Sequence, residues 1–357
     1  MGSTLTIATP KDFVLARDLC SYGYFLLAPN HWDVRKQAFR RTFLAGGVAT
    51  TVETTQKNAG TPLKATADVV LNGAQREELR AQICRMLRLD ESREEVASFH
   101  GVDPRWKSNG RGRLMRSPTL FEDIIKTVTS CNVTWPSTIV MNRRLCEVLG
   151  KESASGGFAF VEPKKLARAR PQTLRARCRV GYRDQRLIEL AKLYVAAEKS
   201  RARDAADLAA QKLLPAPIVS SKLAKHQTRA NANAQARINL PWLEDPTTPD
   251  DAVFKALVAL PGIGPYAAAN IMQLMGRYAR LPLDTESVRH GKTLLGYKGT
   301  SAQIMKKVHA HYAPFGANAF RSYWLEMWAF YESKHGPAWT WERDTTGKMF
   351  TAAQLSK

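Results

Sequence analysis

The sequence lacks the marks of several protein classes. Its 357 residues include only five cysteines, at positions 20, 84, 131, 146 and 178, an odd and scattered set. That excludes a disulfide framework and fits unpaired, buried thiols in a reducing compartment. No apolar run approaches the roughly 18 residues of a membrane span, and no basic amphipathic anchor stands out, so no membrane partner is expected. No signal-peptide pattern opens the chain, which predicts an intracellular protein: nuclear in a eukaryote, in the cytoplasm or nucleoid of a bacterium. No internal repeat is present. Acidic residues are scarce, 32 against 53 lysines and arginines, for a formal charge of +21 in a chain that is 44% hydrophobic. A folded protein with that excess seeks a polyanion. The length suits two or three small domains.

The most informative stretch is Leu260-Pro-Gly-Ile-Gly-Pro-Tyr266. Asp251 to Ala259 before it has apolar residues at helical spacing after an acidic start, which predicts a short amphipathic helix. Pro261 and the two glycines stop that helix and permit a tight reversal. Pro265 suits the first turn of a second helix, from Tyr266 to about Arg277, and the free N–H groups at its start form a site for a phosphate. Twenty residues past Gly264, after a break at Pro282, sits Asp284, with a helix-like run behind it. An Asp there is also an ordinary N-cap, and the two roles are compatible because a capping Asp has a fixed orientation.

Leu260, Pro261, Gly262, Ile263 and Gly264, with Pro282 and Asp284, resemble the helix-hairpin-helix DNA glycosylase superfamily, its 3-methyladenine and 8-oxoguanine glycosylase branches in particular. The resemblance covers about Ser117 to Ser333. It implies an α+β chain, with a small N-terminal antiparallel β-sheet domain followed by an all-α helix-hairpin-helix glycosylase core. It also implies a double-stranded DNA partner carrying a damaged base. The resemblance makes Asp284 the catalytic carboxylate and Gly262, Ile263 and Gly264 the grip on the DNA backbone. Members that also cut the strand carry a lysine two residues past the second hairpin glycine. Tyr266 stands there, which predicts hydrolysis without strand scission. No four-cysteine cluster lies near the C-terminus, so the iron–sulfur form of the superfamily is excluded. No cofactor, no metal and a monomer are expected.

Expectations for the rest of the chain follow in order. Met1 to about Asn72 reads as mostly β, with strands over Gln37–Ala45, Val48–Gln56 and Leu63–Leu71. Tyr22, Tyr24, Phe25 and Trp32 read as core or interface residues. Gln75 to Leu89 and Ser92 to Phe99 are predicted helices. Arg105 to Arg116, dense in arginine, reads as a solvated basic loop or a phosphate contact. Helices are predicted over Thr119–Val128 and Val133–Leu149, broken at Ser130-Cys131-Asn132. By resemblance, Asn132 fills the gap left by a flipped base; otherwise it caps its own backbone at a helix junction. Ser137 occupies the place of an arginine that touches the widowed base. The basic stretch Ala167–Val180 leads into Gly181-Tyr182-Arg183, a turn expected at an exposed tip. There Tyr182 is the wedge that replaces lost stacking and Arg183 its neighbour, the alternative being a core tyrosine.

After a helix over Gln185–Ala197, Lys199 to about Pro249 reads as a basic insertion or flexible linker, within which Arg203–Leu214 could be a helix. Ala302–Tyr312 and Phe320–Ser333 are predicted helices. Trp324 and Trp328 share a face of the second. They either sandwich the flipped base, with Tyr266 in the pocket, or pair in the core. The domain plan is 1–100 mostly β, 101–198 the first part of the helical core, 199–249 the insertion, 250–340 hairpin and aspartate, and 341–357 a peripheral tail. The aromatic residues and the absent lysine favour an alkylated, often cationic purine as substrate. An 8-oxoguanine or deaminated-base glycosylase and a noncatalytic DNA-binding protein are the alternatives.

Overall fold

A computed structural model describes residues 2–211, 240–343 and 346. Five strands, β1 (Thr4–Ile7), β2 (His31–Asp33), β3 (Ala38–Ala45), β4 (Val48–Gln56) and β5 (Leu63–Ala67), form one antiparallel sheet in the order β1-β5-β4-β3-β2. β5 alternates buried and exposed residues along its length, as expected of a sheet with one face on a core. The strand expectations hold to within a few residues. The first 72 residues are less purely β than expected, because helix α1 (Leu15–Leu19) and a 3-10 turn (Gly23–Leu26) interrupt them.

Helices α2 (Gly73–Met86) and α3 (Arg93–Val102) follow, each opened by a reciprocal capping box, Asn72 with Gln75 and Ser92 with Glu95. Next come α4 (Leu120–Ser130), α5 (Trp135–Leu149), α6 (Pro163–Ala167) and α7 (Pro171–Ala176). α8 runs from Asp184 to Gln211 without a break, so the helices expected from Gln185 and from Arg203 are one, and the first part of the expected linker is helical. Residues 212–239 of that expected insertion lie outside the described residues. The chain closes with α9 (Leu240–Glu244), α10 (Asp250–Val258), α11 (Pro265–Leu274), α12 (Thr285–Thr293), α13 (Ser301–Tyr312) and α14 (Ala319–His335).

Two hydrophobic cores organise these elements, and they cut across the expected boundary between the sheet domain and the catalytic segment. The first joins the sheet, α1, α2 and α3 to α12, α13 and α14 from the other end of the chain. The second is built from α4 through α11. A buried ion cluster ties them: Arg41 Nη2 on β3 meets Glu122 Oε2 on α4 at 2.6 Å, and Lys126 Nζ meets Glu122 Oε1 at 2.7 Å. Burial alone would raise the Glu122 pKa, but Arg41 and Lys126 outweigh it and hold the carboxylate ionised.

Two expectations about charge and exposure are corrected here. The stretch Arg105–Arg116 is not a solvated loop: Arg113 is buried and meets Asp12 at 2.6 Å, Arg111 meets Glu332 at 2.6 Å, and Arg116 reaches Asp90 at 2.8 Å. Its arginines are structural cations inside carboxylate partners. The start of the expected peripheral tail is also internal, since Trp341 is buried against Phe25 and Trp328.

Candidate active site and DNA interface

The hairpin forms as its residues dictate. α10 buries Val253 and Leu257, then Leu260 and Ile263 plug the turn into the second core. Gly262 between them has φ +74°, a left-handed conformation that a side chain would strain. Gly264 and Pro265 open α11, and no side chain caps it, so its first N–H groups remain for an external acceptor. Gly262 and Gly264 are exposed, whereas Ile263 is buried, so of the three expected backbone contacts only the glycines sit on the surface. Ile263 anchors them.

The Gly181 turn is also strained open, with Arg179 at φ +59° and Gly181 at φ +59°. Tyr182 stands at the tip, 57% exposed, which excludes the core reading of this residue. Arg183 departs from expectation. It is only 4% exposed and donates from Nη2 to the carbonyl oxygens of Cys131 and Asn132. Buried, it spends its guanidinium on the backbone of the α4–α5 loop. Asn132 is exposed in that loop, at φ +53°, and its side chain makes no cap. Arg183 therefore locks the Tyr182 turn to the Asn132 turn. Ser137 is exposed in the first turn of α5, its hydroxyl 3.0 Å from Thr134 Oγ1.

Asp284 is the N-cap of α12. Its Oδ1 accepts from the N–H groups of Glu286 at 2.9 Å and Ser287 at 3.1 Å, and Ser287 Oγ returns to the Asp284 N–H at 3.1 Å. Ser287 is in turn 2.8 Å from the buried Tyr323 hydroxyl on α14. Both readings of Asp284 thus coexist: capping uses one oxygen and fixes the carboxylate's direction. Burial pushes the Asp284 pKa above the ordinary carboxylate range. The Glu286 charge adds to this, while the Ser287 N–H and the Tyr266 hydroxyl work against it. Tyr266, in the first turn of α11, is itself raised well above its ordinary value by burial and by the Asp284 charge. The thiol of Cys131, at the end of α4, is pushed up to about 11 by burial, so it is not a thiolate at neutral pH.

Tyr266 and Asn270 share one face of α11, a turn apart. Asn270 Nδ2 donates to the Tyr266 carbonyl at 3.3 Å, and Tyr22 donates to Asn270 Oδ1 at 3.3 Å. The Tyr22 ring lies 4.6 Å from that of Trp324. The carboxylate, Tyr266, Asn270, Tyr22 and Trp324 are therefore linked in one chain of contacts across both cores, with Tyr22 and Asn270 buried. Of the two readings of Trp324 and Trp328, the core pair is the one found, not the base sandwich. Trp328 is 2% exposed, donates to the Cys20 carbonyl, and stacks directly on Trp324 at 5.2 Å. A base does not fit between rings already in contact, and Trp328 is a core residue.

Tyr22 is buried in the first core, as its reading as a core or interface residue had it. Sequence reading assigned nothing to Arg186, whose exposed side chain lies against Gly262. The signal for it was present: an arginine one turn after the wedge, in a helix start that Asp184 and Arg183 bury. Among the described residues no group of three or more His, Cys, Asp or Glu would hold a metal, and no helix is long and apolar enough to cross a membrane.

No family model matches the chain, and no curated protein matches it. Solved structures do. A 3-methyladenine DNA glycosylase from Archaeoglobus fulgidus superposes with a TM-score of 0.61 at 15% identity, covering 91% of this chain and 98% of that one. MBOgg1 in complex with a low-affinity DNA ligand gives 0.60 at 15% identity, covering 91% and 96%. The 8-oxoguanine glycosylase/lyase of Clostridium acetobutylicum gives 0.56 at 17% identity, covering 86% and 93%. At these identities the likeness is one of fold, and it spans nearly the whole of each chain.

Proposed function

We propose that this chain, which carries the fold of the helix-hairpin-helix DNA glycosylases, is a monofunctional DNA glycosylase that flips a damaged base out of duplex DNA and removes it by hydrolysis. The observation that carries this reading is Asp284: a carboxylate fixed by a helix N-terminus through one oxygen, beside the hairpin and facing the Tyr266 hydroxyl where a strand-cutting member has an amine. Breaking an N-glycosidic bond builds positive charge on the sugar in an oxocarbenium-like transition state. A half-buried carboxylate stabilises that charge more than water does, and it orients or deprotonates the attacking water. The hairpin glycines hold the backbone, Tyr182 enters the stack, and Asn132 occupies the space the base leaves.

The proposed substrate is an alkylated purine. Tyr266, partly exposed beside Asp284, offers its ring to a cationic base, whose glycosidic bond is already weakened. Tyr22 and Trp324 are packed on other rings, so this preference rests on Tyr266 and on the absent lysine. Neighbours acting on oxidised bases share the fold, so removal of 8-oxoguanine or a deaminated base is the second reading.

The test uses end-labelled duplexes carrying a stable 3-methyladenine analogue, hypoxanthine, uracil or 8-oxoguanine, analysed with and without hot alkali. The expected result is breakage after alkali only, on the alkylated substrate. Breakage without alkali would overturn the assignment of Tyr266. Tight binding with no base release from any lesion would make the protein a noncatalytic DNA binder.

A further inference from the structure

The reading above leaves the wedge and the hairpin as separate contacts, and one cation joins them. Arg186 lies in the first turn of α8, exposed, with its guanidinium 5.4 Å over the Tyr182 ring. Its aliphatic stem packs against the hairpin: a Cβ placed on Gly262 would come within 2.6 Å of Arg186 Cδ and 3.2 Å of its Cβ and Cγ. Gly262 is thus required twice, once for its φ of +74° and once for this approach. Two neighbouring cations are committed elsewhere. Arg183 is buried on the Cys131 and Asn132 carbonyls, and Arg175 meets Asp184 at 2.9 Å. Among the described residues Arg186 forms no salt bridge. It therefore presents a guanidinium between an aromatic tip and a glycine turn, with its stem held by packing.

Resting on the glycosylase reading, we infer that Arg186 binds a DNA backbone phosphate flanking the extruded nucleotide and joins the hairpin grip to the Tyr182 wedge. A guanidinium held at one end by its stem loses little freedom when it meets a phosphate, and its forked N–H groups match two phosphate oxygens. A phosphate contact carries no base information. It adds to the salt dependence of binding and leaves opposite-base preference alone.

The test measures affinity of the full chain for a duplex with one abasic-site analogue, each base in turn opposite, from low to physiological salt. Arg186→Met keeps the stem on Gly262 and removes the charge; Arg186→Lys restores a charge. One phosphate contact accounts for about 0.9 in the slope of log affinity against log salt. Arg186→Met should flatten the slope by about that much for every opposite base, with an unchanged melting temperature, and Arg186→Lys should recover most of it. An unchanged slope in Arg186→Met would overturn the inference. So would an effect confined to one opposite base, which would make Arg186 a base reader. Base release by the wild type is scored separately, so failure of the glycosylase reading is not confused with failure of this one.

Discussion

The two hydrophobic cores differ in how the chain builds them. The second, from α4 through α11, is assembled from segments that follow one another in sequence, and it carries the hairpin, the Tyr182 turn and the Asn132 turn. The first joins the N-terminal sheet to the last three helices, and it supplies Asp284, Tyr22 and Trp324. The parts proposed to hold DNA thus belong to the contiguous core, and the proposed catalytic carboxylate belongs to the core closed by the two chain ends. The two proposed surfaces meet at the junction, so their relative position depends on the contacts that hold the cores together.

Those contacts give the largest expected effect. Glu122→Ala leaves Arg41 and Lys126 buried without their carboxylate, and removing one member of a buried ion pair costs about 3–5 kcal/mol. Chemical denaturation should show a loss of that size, while an exposed pair such as Arg80–Glu77 should cost under about 1 kcal/mol when broken. A loss for Glu122→Ala no greater than for the exposed pair would mean the cores are held by packing alone.

Next in size is Tyr266→Ala. Aromatic stacking on a base is worth about 1–3 kcal/mol, so base release at subsaturating substrate should fall roughly ten-fold or more. Tyr24→Ala, buried in the first core, should instead lower stability. Equal behaviour of the two would make Tyr266 a packing residue only.

A third expectation concerns acid. Burial opposes ionisation of Glu326, yet hydrogen bonds from His290 and Tyr312 and the charge of Arg105 pull its pKa down to about 2. A carboxylate lowered on folding contributes stability above its unfolded pKa, and that contribution is lost as pH falls from the ordinary range of about 4.5 toward 2. Glu326→Gln should therefore flatten the acid side of the stability profile, and an unchanged profile would remove Glu326 from the account.

The smallest effect belongs to Tyr323→Phe. It deletes the hydroxyl that supports Ser287 behind Asp284, so the acid limb of base release should move slightly to higher pH with little change in the plateau rate. No movement would mean Ser287 holds the carboxylate unaided.

The same contrast explains what the sequence made legible. Hairpin, capping aspartate and the exposed Tyr182 turn are local: proline and glycine spacing, a Pro before an Asp, and a Gly-Tyr-Arg turn carry them within a few residues. The helix beneath each could be read from periodicity. The stacking of Trp328 on Trp324 is also local, four residues apart on one helix, but what buries the pair is distant: Trp328 donates to the Cys20 carbonyl some 300 positions away, and no local pattern reports that. Charge was misread for a related reason. Arg105–Arg116 looked solvated because its partners, Asp12 and Glu332 among them, lie at the two ends of the chain. Arg183 was placed at the tip because the turn was visible and the loop it clamps was not.

The central claim is that the Asp284 charge, at the junction of the cores, drives base release, and Asp284→Asn isolates it. Asparagine caps a helix about as well as aspartate, so the geometry of α12 is kept. Burial raises the Asp284 pKa, which means the ionised form is disfavoured in the folded protein; any stability the group contributes is present below its unfolded pKa and lost as pH rises through the raised one. At neutral pH the asparagine variant should therefore melt no lower than wild type. Single-turnover base release from the preferred lesion duplex should fall on the order of 100-fold or more, with DNA affinity retained. Release at the wild-type rate by a fully folded Asp284→Asn would contradict the account and leave Asp284 as a helix cap alone.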